Sequence, residues 1–438
     1  MKASKKDFKI TDVFAFKQFN SKGIPTIGLQ LCCDKVMVKS LVPSGTSIGS
    51  KEAIELRDNG LKLDGKTCNH AINLINKKIK PILIGKSPFN QFDIDKLLIR
   101  FDGTDNKSKL GSNCLIAISM AIAKLAAKLM NIPLFLYLAK FFSKNQNKKI
   151  SLPKIMVNIV NGGMHANNFL DFQEFMIVPL KTKSLSQACD IASECFYELG
   201  KILKKNHLSN AKGDEGGYDV NFKSCYKVFD FIEKSVMNAG YKLGHDVAIA
   251  LDIAASTLFD RDHYFFKKAY ISKEMNKKEA TFSSDDLIKF YQSLIKLYPI
   301  ISIEDPFDEN DWKGFIKFNK IVNDRLLIVG DDLYCTNNKL IQNGINLKAT
   351  NAVIIKPNQI GTIYETITAI KTAKQGKQKI IISHRSGDTE DTFIADLAVA
   401  CQADYIKTGS FSRSERLAKY NRLLEIENTF FYKRKLFY

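Results

Sequence analysis

The feature that most constrains this chain is a train of short apolar runs, each closed by a charged side chain: VAIALD, PIISIE, LLIVGD, NAVIIK, KIIISHR and ADYIKTG. The closing residues are Asp252, Glu304, Asp331, Lys356, His384 with Arg385, and Lys407, and from Glu304 onward they are spaced by 27, 25, 28 and 23 residues. A strand and a returning helix need about that length, because a parallel crossover takes a dozen or more residues. Two more runs, KIMVNIV and FQEFMIVP, lie close enough together to form a hairpin. Residues 184–205 and 222–239 then read as helices, with the glycine-rich KGDEGGYDVN between them. Two hairpin strands and six strand–helix units give eight strands, the number that closes a barrel with its active site at the C-terminal strand ends.

The expected fold is therefore α/β: a C-terminal eight-stranded α/β barrel of order ββαα(βα)6, preceded by a smaller α+β N-terminal domain. The lysine- and asparagine-rich FFSKNQNKK marks the boundary, giving domains 1–143 and 144–438. Within the first domain, IPTIGLQLCC and KVMVKSLVPSG read as strands, and SKEAIELRDNG opens a helix that ends near Gly60. A chain of 438 residues with 45% apolar content can bury both cores.

Nine cysteines without C-x-x-C spacing indicate neither a disulfide framework nor a thiolate zinc site, and they suit a reducing cytosol. The N-terminus carries no signal-type apolar core. The most apolar stretch, CLIAISMAIAKLAAKLM, is interrupted by Lys124 and Lys128 and reads as a buried helix rather than a membrane span. A net charge of +19 favours anionic ligands or surfaces, but no nucleic-acid-binding motif accompanies it.

The strand ends carry the chemistry. Asp252, Glu304 and Asp331 come from three consecutive strands, and three carboxylates share a small volume only when a cation or protons neutralise them. Any one of them alone reads as a helix cap or ion-pair partner. Together, and without histidine or cysteine, they suit a hard, oxygen-liganded ion such as Mg²⁺. Within ISIEDPFDENDW, Glu304 closes the strand, while Asp308, Glu309 and Asp311 read as acidic residues at a helix N-terminus.

Lys356 and Lys407, two amines near a cation, suggest a lysine whose charged form is disfavoured and which can serve as a base. His384, Arg385 and Ser386 place a forked cation beside a hydroxyl, which suits phosphate or carboxylate. Glu215 between glycines and Glu174 on the hairpin form a pair able to share a proton, and so a candidate general acid. The sum describes proton abstraction beside a carboxylate, followed by loss of a leaving group.

The same residues sit in blocks that resemble enolases: VPSGTSIG, FDGTDNKSKLGSN, NIVNGGMHANNFLDFQEFMIVP, GDEGG, SIEDPFDENDW, VGDDLYCTN, IIKPNQIGT, SHRSGDTEDTFIADL and IKTGSFSRSERLAKYN. The resemblance spans nearly the whole chain and implies an enolase-type barrel that dehydrates 2-phosphoglycerate to phosphoenolpyruvate. It implies two Mg²⁺ ions per site, the first on Asp252, Glu304 and Asp331, the second carried with substrate and held by Ser47. Lys356 would take the C2 proton, and Glu215 with Glu174 would protonate the departing hydroxyl. Arg385 and Ser386 would bind phosphate, Lys407 the substrate carboxylate, and His165, Gln173 and His384 would line the site, His165 as part of the catalytic set.

Some positions depart from the family pattern. Thr46 and Ile48 alter the loop that usually reads Ser-Gly-Ala-Ser-Thr-Gly. Phe16, Gly28, Glu425 and Asn428 stand where the resemblance places two charge pairs joining the subunits of a dimer, so a homodimer with changed interface charges is expected. Two other readings stay open: a superfamily relative acting on another acid, and a polyanion-binding or surface-exposed protein on the same fold, which would add the cell surface to the cytosol as a location.

Overall fold

The computed structural model describes residues 8–45, 49–142 and 151–432. The N-terminal domain opens with a three-stranded antiparallel meander, β1 (Asp12–Phe19), β2 (Pro25–Cys33) and β3 (Val36–Leu41). Alternation sends Val13, Ala15, Ile27, Leu29 and Leu31 inward, and all five are buried. They pack on the helix Ser112–Leu129, which is long and apolar enough to cross a membrane but is 83% buried inside the protein. The two lysines that interrupt its sequence reach the sheet, where Lys124 Nζ donates to the Lys39 carbonyl and Lys128 Nζ to that of Met37.

The helix expected from SKEAIELRDNG does not form. Residues 53–59 form no regular secondary structure, because their backbone groups are taken by distant partners. Ala53 N donates to the Gln359 carbonyl at 2.8 Å, Ile54 N to that of Asn106 at 2.8 Å, and Leu56 N to Asn113 Oδ1 at 3.0 Å. These tertiary bonds outweigh a local propensity worth only tenths of a kcal/mol per residue.

The barrel staves are β4 (Lys154–Asn161), β5 (Glu174–Pro179), β6 (Val247–Asp252), β7 (Ile300–Glu304), β8 (Leu327–Gly330), β9 (Ala352–Ile355), β10 (Lys379–Ser383) and β11 (Tyr405–Lys407). Each pairs with the next, and β11 closes on β4. Only β5 runs antiparallel to its neighbours, as a ββ hairpin start requires. Helices Leu185–Lys205 and Cys225–Asn238 follow the hairpin where the sequence places them. The expected boundary at 143/144 falls outside the described residues.

Strand parity positions the site. Met156, Met176, Ala250, Val329, Ile354 and Ile381 fill the barrel interior as one apolar cluster. Two residues further toward the rim, or two before Met176 in the reversed β5, the same inward rows carry Asn158, Glu174, Asp252, Asp331, Lys356 and Ser383. The opposite parity, including Ile155, Phe175, Leu251, Ile328 and Ile355, packs against the surrounding helices. The domains are joined at the N-terminus of the helix Ile363–Gln375, where Ile363 N donates to Ser119 Oγ and Tyr364 N to Asp95 Oδ2, both at 2.9 Å.

Candidate active site

The inward rows end in a cavity of about 410 Å³, measured out to its mouth. Six carboxyl side chains line it, those of Glu174, Glu215, Asp252, Asp305, Asp331 and Asp332, against three cations, Lys356, Arg385 and Lys407. Lys407 is the central cation. Its Nζ lies 2.8 Å from Asp252, 2.9 Å from Glu304 and 3.0 Å from Glu174, and it is 2% exposed. Burial alone would lower its pKa, but Asp252, Glu174 and Glu304 outweigh burial and hold it well above the ordinary lysine value.

Lys356 projects from the end of β9 and pairs with Asp331. Gln359 Nε2 donates to the other Asp331 oxygen at 3.0 Å. Burial would lower the Lys356 pKa, yet the carboxylates around it, Asp331 first and then Glu304, together leave it above the ordinary lysine value. The neutral amine is expected beside a bound cation: here Asp331 supports the charge on Lys356, and a cation taking Asp331 would remove that support.

Of the three carboxylates expected to converge, Asp252 and Glu304 are register partners and meet on Lys407 Nζ, while Asp331 turns to Lys356. Glu304 is raised well above the carboxylate range by burial and by the Asp252 charge. Asp305 and Asp332 were not foreseen. Their oxygens and one of Asp331 all lie within 4.8 Å of one another. Asp305 accepts from Asp331 N at 2.9 Å and Asp332 N at 2.7 Å, fixing the turn after β8.

The remaining acids of ISIEDPFDENDW divide their tasks. Asp311 caps the helix Trp312–Val322 by accepting from Gly314 N at 2.9 Å, as expected. Asp308 instead caps a turn at Asn310 N. Glu309 accepts from Ser50 N and Oγ, tying the N-terminal domain to the rim.

Across the cavity, Asn158 Nδ2 donates to Glu174 Oε2 at 3.1 Å and Glu215 Oε2 at 3.0 Å, holding the two carboxyls face to face. Burial and the Glu215 charge push Glu174 well up. Glu215 would also rise through burial, but His165, His384 and Lys407 hold it well below the usual range. The two carboxyls are thus pushed apart, Glu174 toward its protonated form and Glu215 toward its ionised form. His165 Nδ1 and His384 Nε2 each stand 3.4 Å from Glu215. Gln173 Nε2 reaches Asp252 at 3.3 Å.

Arg385 and Ser386 line the same cavity. The Arg385 fork is clamped by Glu52, another residue the sequence did not single out, at 2.8 Å and 3.1 Å. Glycine at 45 is needed for this, since a Cβ there would lie 1.8 Å from Arg385 Nη2. Ser47, with Thr46 and Ile48, lies outside the described residues.

This constellation stands in a chain whose two parts match two family models. Residues 10–138 match "Enolase, N-terminal domain" and residues 149–435 match "Enolase, C-terminal TIM barrel domain". The chain belongs to the enolase family. It is 49% identical to the enolase of Ureaplasma parvum over 423 residues, covering 96% of each chain. It is 48% identical to that of Mycoplasmoides gallisepticum over 422 residues, covering 96% of this chain and 89% of the relative. With the enolase of Ehrlichia chaffeensis it shares 46% over 420 residues, 95% of this chain and 96% of that one.

Membership in the enolase family implies dependence on Mg²⁺, and the cavity suits such an ion. Its carboxylates outnumber its cations, offer only hard oxygen donors around Asp331, and are buried where repulsion is weakly screened.

Proposed function

We propose that this chain catalyses the reversible dehydration of 2-phospho-D-glycerate to phosphoenolpyruvate, as a carbon–oxygen lyase, with base and acid on opposite walls of the cavity. The observation that carries the reading is their placement: in the ring of eight staves, β9, which Lys356 directly follows, lies diametrically opposite β5, which begins with Glu174. A substrate between them presents its C2 proton to one wall and its C3 hydroxyl to the other, which makes the elimination anti.

Arg385 and Ser386 bind the phosphate, with the guanidinium offering a planar fork. Lys407 receives the substrate carboxylate. Lys356 takes the C2 proton once its charge is no longer held by Asp331. The Glu174–Glu215 pair supplies the proton that leaves with the C3 hydroxyl as water, and His165, Gln173 and His384 orient that side. Asp252, Glu304 and Asp331 would hold Mg²⁺, and Ser47 would help hold a second ion carried with substrate; when bound, the metal would supply positive charge against the negative charge that develops as C2 loses its proton. Oriented charge of this kind contributes about 3–4 kcal/mol per contact.

The chain also pairs with a second copy in this reading. Where the family resemblance places charge pairs, the Phe16 ring covers Gly28, whose added Cβ would lie 2.6 Å from it, and Glu425 bonds Arg422 of its own chain at 2.8 Å. A contact between copies in this reading would rely on apolar groups such as Phe16 rather than on those charge pairs. Nine unpaired cysteines support the cytosol as its compartment.

Mixing the protein with Mg²⁺ and 2-phosphoglycerate should produce phosphoenolpyruvate absorbance that disappears with EDTA or with Lys356→Ala. Silence under these conditions, with tight and salt-sensitive binding to heparin, would favour the polyanion-binding reading instead.

A further inference from the structure

Arg416 is fully buried at 0% exposure, and nothing above gives it a task. Its Nη1 lies 2.6 Å from His384 Nδ1 and 2.6 Å from the Arg385 carbonyl, two short contacts that use its two hydrogens. Its Nη2 donates to the Ser386 carbonyl at 2.6 Å and the Asp214 carbonyl at 3.3 Å. Asp388 and Glu415 balance its charge at 3.5 Å and 3.2 Å. One side chain therefore grips the backbone of both strand-end residues that hold phosphate, and the ring between them and Glu215.

The contact with His384 has only one chemical form. A guanidinium has five donors, no acceptor, and keeps its proton at any working pH. Nδ1 must therefore offer its lone pair, since an Nδ1–H would press two hydrogens together at 2.6 Å. The ring's hydrogen is then on Nε2. That atom has no hydrogen-bond partner among the described residues and faces the cavity, 3.4 Å from Glu215 Oε1. The charges of Lys407 and Lys419 also disfavour a second proton on the ring, and Glu215 is the anion facing it.

We propose that Arg416 is a positioning residue that locks His384 as the neutral Nε2–H tautomer, so that the ring presents a fixed donor to Glu215 and to the departing hydroxyl. A donor there favours the ionised form of Glu215 and leaves the pair's proton on Glu174, which gives the acid side of the cavity one defined protonation state. This deepens the reaction proposed above and rests on it for its catalytic meaning; the tautomer itself does not depend on that reaction.

The test is long-range ¹H–¹⁵N correlation on the full chain labelled at its six histidines, without substrate, with His384 assigned by its loss in His384→Gln. The expected spectrum shows a bare Nδ1 and a protonated Nε2, unchanged between about pH 5.5 and 8.5, a range in which an ordinary histidine titrates. An Nδ1–H pattern, or a His384 that gains a second proton in that range, overturns the proposal whether or not the chain dehydrates 2-phosphoglycerate. Arg416→Met should release the ring to titrate and lower kcat by about 10²-fold, with KM rising as well because the backbone of Arg385 and Ser386 loses its grip. If that variant folds and keeps both the Nε2–H pattern and kcat, Arg416 is not the lock. If it does not fold, the spectrum of the unaltered protein decides.

Discussion

Removing the Glu52 carboxylate strips Arg385 of a buried counterion, and the consequence can be worked from the pair's geometry. Both side chains are 5% exposed, and the carboxylate meets both terminal nitrogens of the fork, at 2.8 Å and 3.1 Å. Deleting one partner of such a pair costs about 3–5 kcal/mol, because the other charge stays buried. Glu52 also accepts from Gly49 N at 3.2 Å, so Glu52→Ala loosens the segment that joins the two domains as well. Domains of this kind have stabilities of about 5–15 kcal/mol, so the loss is a large fraction of the total. The same change removes the carboxylate that meets both terminal nitrogens of the fork, leaving Asn358 Oδ1 at 3.2 Å among its partners and room for another anion. Inorganic phosphate at a hundredfold excess over its Kd should return about 2.7 kcal/mol to the variant. The unaltered protein should gain less, since there phosphate must share the fork with Glu52 or displace it. Urea unfolding followed by circular dichroism, with and without phosphate, reads both effects. A variant within about 1 kcal/mol of the parent, or equal phosphate stabilisation of both proteins, would refute the argument.

Asp95 gives a pH dependence. Burial pushes its carboxyl up from 3.8 to about 7, so the folded chain holds a proton that the unfolded chain releases near pH 4. Stability from this group is full below pH 4 and is lost as pH rises toward 7, a difference of about 4 kcal/mol by linkage. Asp95→Asn should flatten that slope in urea titrations across the same range, and an unchanged slope would count against it. At the sheet face, sedimentation should show a dimer weaker than nanomolar that Phe16→Asp dissociates further; a tight dimer indifferent to Phe16 contradicts the apolar contact.

The reactive strand ends were legible because two periods coincide. Strand–helix length sets where each run recurs, and alternation along the strand sets which residue faces in, so Asp252, Asp331, Lys356 and Lys407 could be named from spacing alone. Other parts depend on partners far along the chain. Glu52 matters because of Arg385, 333 residues away, and Asn158 because it bridges carboxyls 16 and 57 residues on. The stretch from 53 to 59 reads as a helix locally, yet its amides bond to Gln359, Asn106 and Asn113. The contact between Asp331 and Lys356 is hidden for a related reason: spacing shows that the two are near but not that the carboxylate closes directly on the amine.

The central claim is that Lys356 and the Glu174–Glu215 pair act on opposite sides of one substrate, and it is tested most directly by separating the two proton transfers. With Mg²⁺ in deuterated water, Glu215→Gln should still exchange the C2 proton of 2-phosphoglycerate while forming little phosphoenolpyruvate, and Lys356→Ala should do neither. If Glu215→Gln stops the exchange as completely as Lys356→Ala does, or if Lys356→Ala still exchanges, the division of base and acid between β9 and β5 is wrong.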